Sequence, residues 1–248
     1  MKKHLYANWK MYKTRSEAQC FLGELDCVVD KSIGIGAGFT LLSDISMHSK
    51  SLGIKIGAQT MSEHLEGAFT GEVSAKQLKD VGADFVILGH SERRYLIGET
   101  NEVISKKVES AIGQEMSFIL CIGENIEQRE GGYTKSVLKK QLTTALCGTI
   151  DKYPSSMIIA YEPVWAIGTN NSATPHIVND INSYIREEVG ELYNKEYAKQ
   201  LPILYGGSVK LDNLESFLSQ SHIDGALVGS ASLIAKDFNK MIQMIERG

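Results

Sequence analysis

Eight short apolar runs recur along the chain at nearly regular intervals, separated by stretches with helical periodicity. The runs begin at His4, Ser32, Ile54, Phe85, Phe118, Met157, Pro202 and Gly225. Strands this short and this uniformly apolar are typical of a parallel sheet buried on both faces, in which helical crossovers join neighbouring strands. Dividing 248 residues by eight gives 248/8 = 31 residues per unit, close to the size of one βα unit. The alternation predicts an α/β protein that folds as a single (β/α)8 barrel domain over residues 1–248.

Helix-start signals lie between the apolar runs, where the crossover helices should begin. Thr14 and Ser74 each stand three residues before a Glu or Gln, the spacing of a capping box, and Thr174 precedes a proline. The first run ends in Asn8-Trp9-Lys10 and is not followed by the GxGxxG pattern of dinucleotide-binding open sheets. Both observations favour the closed barrel.

Composition excludes several classes of partner. Lys and Arg together number 26 and Asp and Glu 30, for a net charge of −4, so a basic surface for nucleic acid or anionic membranes is not expected. The longest apolar runs are about a quarter of a membrane span, and no apolar signal core follows the first lysines. We therefore expect a cytoplasmic protein.

The four cysteines give no sign of a metal or redox site. Cys20, Cys27, Cys121 and Cys147 form no CxxC pair and have no histidine at metal-ligand spacing. We expect them to be buried, reduced thiols, and we expect no metal.

Polar residues follow several of the apolar runs directly. Asn8 and Lys10 follow the first, His90 and Glu92 the fourth, and Glu162 the sixth. In a parallel barrel the carboxyl ends of all strands open on one face, so these side chains should share one mouth. A carboxylate, an imidazole and a cation around one pocket can remove a proton next to a carbonyl and stabilise the enediolate that results, without a metal or organic cofactor.

Glycines follow the last two runs, as Gly206-Gly207-Ser208 and Gly229-Ser230. Such loops allow backbone N–H groups to face an anion, and this end of a (β/α)8 barrel is the usual phosphate seat. The sequence thus indicates a small phosphorylated carbonyl substrate. The segment directly behind Glu162 has an apolar front and a tail of small polar residues, which is typical of an active-site lid.

These blocks resemble the triosephosphate isomerase family from end to end. The matching segments are ANWKM (7–11), GAFTGE (67–72), ILGHSERR (87–94), CIGE (121–124), YEPVWAIGT (161–169), YGGSV (205–209) and LVGSASL (227–233). They cover seven of the eight strand ends or following loops in the right order. YEPVWAIGT and GHSERR are the most specific of them.

The resemblance implies a role for each catalytic residue. Glu162 would be the base that moves a proton between two carbons, and neutral His90 would polarise the carbonyl. Lys10 would supply positive charge to phosphate and enediolate, Asn8 a hydrogen bond, and Glu92 would match the family's glutamate near the lysine. The implied reaction interconverts dihydroxyacetone phosphate and D-glyceraldehyde 3-phosphate, a step of glycolysis and gluconeogenesis.

The resemblance also implies a phosphate grip and a lid. Backbone amides of Gly168, Ser208, Gly229 and Ser230 would hold the phosphate, with Asn8 and Lys10 also in contact with the substrate. The lid would consist of Val164, Trp165, Ala166, Ile167, Gly168 and Thr169.

A long connection after the third strand predicts a homodimer. Residues 60–72 span about twice the usual βα loop length and carry Met61, Leu65, Ala68 and Phe69 among polar residues. Exposed apolar side chains on such a loop gain most by entering a second copy of the chain, and a symmetric dimer lets both loops do so. The GAFTGE match implies that Thr70 reaches the partner's catalytic lysine, with Tyr12 near the docking loop.

Several positions depart from the family's usual pattern. They are the segment Gly36-Ala37-Gly38, Tyr12, Thr60, Asn170 and Ser230. None of them removes a catalytic side chain.

Two other functions compete with the isomerase. A Schiff-base aldolase on the same barrel would also bind a phosphorylated carbonyl compound through a lysine, but that lysine should lie in an apolar pocket, whereas Lys10 has Asn8 and Glu92 as expected neighbours. A non-catalytic binding module is disfavoured by the complete set of acid and base groups.

Overall fold

The computed structural model describes residues 2–26, 32–154, 156–167 and 173–247. Eight parallel strands close into one barrel in chain order, and β1 pairs with both β2 and β8. The strands are β1 His4–Asn8, β2 Ile33–Ala37, β3 Lys55–Ala58, β4 Phe85–Leu88, β5 Ser117–Ile122, β6 Met157–Tyr161, β7 Ile203–Tyr205 and β8 Gly225–Val228. The predicted (β/α)8 barrel is confirmed, and each strand begins within one residue of its predicted start.

Helices cover the outside of the barrel. They are α1 Arg15–Gly23, α2 Phe39–Leu52, α3 Ala75–Asp80, α4 Asn101–Gly113, α5 Ile126–Glu130, α6 Thr134–Leu146, α7 Pro175–Leu192, α8 Lys195–Gln200, α9 Leu214–Leu218 and α10 Ala235–Arg247. The predicted caps are present: Thr14 and Ser74 form capping boxes, and the hydroxyl of Thr174 accepts the N–H of Ile177. Within the described ranges, none of these helices has the length and apolar character needed to cross a membrane.

The barrel interior is filled by side chains rather than left as a channel. Tyr6 and Phe85 meet edge to face inside it, with ring centroids 5.0 Å apart. Gly34, the register partner of Tyr6, and Gly57, the register partner of Phe85, leave room for these rings. A second and larger apolar layer lies between the strands and the helices. The packed interior gives the strand ends a rigid base.

The cysteine prediction was only partly right. Cys121 is buried, but Cys20 and Cys147 are exposed, because both lie at helix positions that face away from the barrel. Cys27 lies outside the described residues. The thiols of the three described cysteines are free.

Candidate active site

A cavity of about 390 Å³ opens at the carboxyl ends of the strands. Its lining contains the residues Asn8, Lys10, Tyr12, His90, Glu162, Ile167, Gly206, Gly207, Ser208, Val209, Lys210, Leu227, Gly229 and Ser230. The barrel thus brings together strand-end residues that are up to 222 positions apart (230 − 8 = 222). Glu92 joins them through its contact with Lys10.

Glu162 and His90 form the buried centre of the site. The carboxylate of Glu162, 2% exposed, follows β6 and places Oε1 3.0 Å from His90 Nε2. Its other oxygen accepts the backbone N–H of Ser91 at 2.8 Å. Two hydrogen bonds therefore hold a buried carboxylate at the floor of the cavity.

His90 is held in one tautomer by its neighbours. The backbone N–H of Glu92 donates to His90 Nδ1 at 3.3 Å, so the ring proton belongs on Nε2, which faces Glu162. Burial lowers the pKa of His90, but the Glu162 and Glu92 carboxylates together raise it by more, and the net direction is upward. The rise depends on Glu162 staying where it is, because that carboxylate is its principal cause.

Lys10 brings positive charge to the opposite wall. Its ammonium lies 2.6 Å from Glu92 Oε1 and its backbone N–H donates to Asn8 Oδ1 at 3.0 Å. The lysine has φ 51, in the left-handed region that non-glycine residues seldom adopt. Its side chain runs past Gly229, where an added Cβ would lie 3.4 Å from Lys10 Cε. The cation thus spans the space between the acid/base pair and the last glycine loop.

The glycine loops after β7 and β8 form the far end of the cavity. Gly206 and Gly207 lead into Ser208, whose hydroxyl donates to the carbonyl oxygen of Ala166 at 2.6 Å. Gly229 and Ser230 face them across the opening, with Ser230 exposed. Gly168, the remaining member of the expected phosphate grip, lies outside the described residues.

The described front of the expected lid is anchored to the barrel. Val164–Ala166 forms a short 3-10 turn, and Trp165 Nε1 donates to Glu124 Oε1 at 2.9 Å. The guanidinium of Arg129 lies 4.2 Å from the centre of the indole ring. Ile167 lines the cavity, whereas Gly168 and Thr169 lie outside the described residues, as does Asn170 behind them.

Two site residues were missed by the sequence argument. Gln59, directly after β3, donates to groups on β1 and β2, and Glu124, after β5, accepts from Trp165 and from the Tyr161 hydroxyl. The signal was available, because each is a polar residue just beyond an apolar run. The catalytic and substrate-binding residues predicted above follow five of the eight strands, and none of them follows the second, third or fifth.

The expected docking loop protrudes with only part of its apolar content exposed. Phe69 is 42% exposed and stacks on His64 with ring centroids 3.7 Å apart. Leu65 and Thr70 are also exposed, but Met61 is buried. Tyr12 is 56% exposed at the cavity mouth.

Two of the departures from the family pattern have local explanations. Thr60 Oγ1 accepts from the buried ammonium of Lys107 at 3.0 Å. At Gly36 an added Cβ would come within 2.8 Å of the Ile87 side chain, so glycine preserves the packing inside the barrel.

Known proteins are similar to this chain over nearly its full length. A sequence model of the family described as triosephosphate isomerase matches residues 3–245. The chain belongs to the triosephosphate isomerase family. The triosephosphate isomerase of Caldanaerobacter subterraneus subsp. tengcongensis is 44% identical over 238 residues, 95% of this chain and 96% of that protein. Those of Fusobacterium nucleatum and Dictyoglomus thermophilum are 45% and 44% identical and cover 95% and 98% of this chain and 96% and 99% of their own lengths.

Membership of the family separates the competing functions. The family match extends over all eight strands and every described wall of the cavity, so neither the aldolase nor the non-catalytic binding module is favoured.

Proposed function

We propose that the chain interconverts dihydroxyacetone phosphate and D-glyceraldehyde 3-phosphate through an enediolate, with Glu162 as the base. The observation that carries this assignment is the buried Glu162 carboxylate 3.0 Å from His90, in one cavity with the Lys10 ammonium. Isomerisation moves a proton between adjacent carbons and between two oxygens, with no net redox change. A base, an electrophile and a cation are sufficient for it.

Glu162 removes the proton from the substrate carbon and the carbonyl oxygen takes up negative charge. To reach the carbon, the carboxylate exchanges its bonds to His90 and Ser91 for contact with the substrate. The freed His90 Nε2–H then donates to the developing oxyanion, and Lys10 adds its positive charge. His90 passes the hydroxyl proton from the neighbouring oxygen to the former carbonyl oxygen through Nε2, and Glu162 returns its proton to the neighbouring carbon.

His90 acts as a neutral donor in this scheme. With Glu162 drawn toward the substrate, the main cause of the raised His90 pKa moves away, while burial continues to lower it. The Glu92 N–H still holds Nδ1 unprotonated. Burial disfavours a charged imidazolium in the resting site, and the neutral ring still has an N–H group that can donate a hydrogen bond to the enediolate oxygen.

The phosphate of the substrate binds at the glycine end of the cavity. Backbone N–H groups of Ser208, Gly229 and Ser230 are the donors we assign to it, together with Gly168 of the lid. Val164 to Thr169 closes over the bound substrate and excludes water, which protects the enediolate from loss of phosphate.

The working form is a homodimer that joins two complementary surfaces. Met11 is 99% exposed next to Tyr12, and the docking loop borders a cavity of about 710 Å³ that includes Leu65 and Phe69. A protruding apolar side chain on one protomer can enter an open cavity on its partner, and a twofold axis makes the contact reciprocal. In this arrangement Thr70 reaches the partner's Asn8 and Lys10.

The setting of the enzyme follows from its family and composition. The reaction belongs to glycolysis and gluconeogenesis, and we assign residues 1–248 to one catalytic domain in the cytoplasm. We assign no role in binding nucleic acid or membranes, in line with the net charge of −4.

The decisive experiment replaces the base. Glu162→Ala should lower kcat at least about 10³-fold while inorganic phosphate still protects the protein against thermal unfolding, because the phosphate seat lies on other loops. Glu187→Ala, which removes an exposed carboxylate from α7, is the matched control and should leave kcat unchanged. Near-normal turnover by Glu162→Ala would contradict the assignment, and covalent trapping of substrate on Lys10 by borohydride would favour the aldolase.

The dimer has its own test. Sedimentation equilibrium should show a dimer, and Thr70→Arg should shift it toward monomer with a parallel fall in specific activity. A monomer with full activity at assay concentration would contradict the proposed assembly.

A further inference from the structure

Gln59 is a polar residue next to the catalytic cavity but not part of its lining. It lies one position beyond β3 and its amide points toward the ends of β1 and β2. Nε2 is 2.8 Å from the carbonyl oxygen of Lys10, 3.1 Å from that of Gly36 and 3.3 Å from Asn8 Oδ1. One side-chain amide therefore ties together the first three strand ends at the point where the catalytic cation leaves the barrel.

The surroundings of Gln59 determine which way its amide faces. Two of its partners are backbone carbonyls, which only accept hydrogen bonds, so the NH2 group and not the oxygen of Gln59 must face them. The two protons of Nε2 are shared among three acceptors. A side chain of the same shape without a donor would leave these oxygens facing one another.

The same logic fixes the amide of Asn8. Its Oδ1 accepts the backbone N–H of Lys10 at 3.0 Å and also lies within reach of Gln59 Nε2. Both contacts require the oxygen of Asn8 on that side, so its NH2 group faces the opposite way. Within the described residues Asn8 Nδ2 makes no protein hydrogen bond, and Asn8 lines the cavity. Asn8 is thereby set to donate to a ligand.

The backbone of Lys10 also depends on this contact. With φ 51, Lys10 occupies a conformation that costs free energy for any residue with a Cβ and persists only where neighbouring groups enforce it. Its carbonyl oxygen accepts the shortest of the three Gln59 bonds, and its N–H is bound by Asn8. Gln59 therefore acts on both hydrogen-bonding groups of the strained residue, directly and through Asn8.

We propose that Gln59 is a positioning residue of the isomerase site, whose amide donor turns the Asn8 amide toward the substrate and holds Lys10 in its left-handed conformation. The inference rests on the proposed function, since it concerns how two of the substrate-contacting groups are presented. Gln59 does not touch the substrate itself.

The test compares two replacements of Gln59. Gln59→Met keeps the length of the side chain but has no donor, so kcat/KM should fall about 100-fold at every pH, with kcat and KM both affected. Gln59→Glu keeps the shape and gains a donor only when its carboxyl is protonated. Three acceptor oxygens around it favour that protonated form. Among the described residues at the ends of β1 and β2 that contact Gln59, the charged side chain is that of Lys10, and its ammonium pairs with Glu92.

The pH profile separates positioning from general structural support. The activity of Gln59→Glu relative to the wild-type protein at the same pH should rise at least about tenfold between pH 9 and pH 5.5, while that of Gln59→Met stays flat. Gln128→Met is the matched control, because Gln128 is similarly half-buried and also bonds to backbone, but at the start of α5. Its activity should equal that of the wild-type protein.

Three results would overturn the inference. They are Gln59→Met activity within threefold of wild type, a flat relative pH profile for Gln59→Glu, and a Gln59→Met chain that fails to fold, which would show that the amide supports the barrel instead of the site. A wild-type protein without isomerase activity would count against the proposed function, and so the two failures are distinguishable.

Discussion

Gly206→Ala should disable the catalytic base without disturbing the fold. An ideal Cβ at Gly206 lies 2.8 Å from Glu162 Cγ, well inside the range of ordinary carbon contacts of about 3.5 to 4.0 Å. The Glu162 side chain must therefore move by roughly 0.7 to 1.2 Å. Gly206 has no left-handed φ, so the backbone itself accepts alanine.

The size of the effect follows from that displacement. A misplacement of about 1 Å in a catalytic group costs up to about 100-fold in rate, which corresponds to about 2.7 kcal/mol of activation free energy. We expect kcat to fall between about 10-fold and 100-fold. The KM should change less than about threefold, because the proposed phosphate donors lie on Ser208 and the β8 loop.

Steady-state kinetics and thermal unfolding together check this prediction. The free energy of unfolding should stay within about 1 kcal/mol of wild type, since the loss of glycine entropy in the unfolded chain offsets the local crowding. Gly23→Ala is the control, because nothing lies within 4 Å of an added Cβ there. A Gly206→Ala enzyme with kcat within twofold of wild type would refute the reasoning, as it would show that the rate does not depend on where Glu162 is held.

Three further predictions concern charges and hydrogen bonds around the site. Lys10→Met should raise KM and lower kcat together, and an effect confined to KM in steady-state assays would exclude a transition-state role. Trp165→Phe removes the indole donor from the buried Glu124 carboxylate and should lower the free energy of unfolding in urea by about 2 kcal/mol. Burial raises the pKa of Glu99, but Lys107 and Arg93 lower it by more. The stabilising effect of the Glu99 carboxylate is therefore present above its pKa in the unfolded chain and is lost as the pH falls through its lower pKa in the folded protein. Glu99→Gln should therefore destabilise the protein by about 3 kcal/mol at pH 7 and flatten the fall of Tm below about pH 4.5; an unchanged acid slope would contradict this.

The fold could be predicted from the sequence because each strand is buried on both faces. Runs such as Phe85–Leu88 have no polar face, so their apolar stretches stand out against the amphipathic helices. The order of eight such runs leaves few topologies, and the caps at Thr14, Ser74 and Thr174 mark where three of the crossover helices begin. Both signals arise from residues that are close together along the chain, so a single sequence is enough to detect them.

The site was predictable only in part, for a physical reason. His90 and Glu162 carry side chains whose chemistry is evident from residue type and strand-end position. Gln59 acts through bonds to backbone oxygens on two other strands, and those oxygens carry no sequence signature. One of the two donors to Glu162 is the N–H of Ser91, which any residue except proline would supply.

The glycine and aromatic pairs inside the barrel constrain the order in which this sequence can change. An added Cβ at Gly34 would meet the Tyr6 ring at 2.5 Å, and one at Gly57 would meet the Phe85 ring at 2.6 Å. Either glycine can gain a side chain only after its register partner has become smaller, and the smaller residue alone leaves a cavity that lowers stability. Each pair is therefore separated from its alternatives by a less stable intermediate, so substitutions at the two positions should be strongly non-additive. Substitutions at Tyr6, Gly34, Gly57 and Phe85 must then occur in coupled pairs. These four positions should be among the slowest in the chain to diverge.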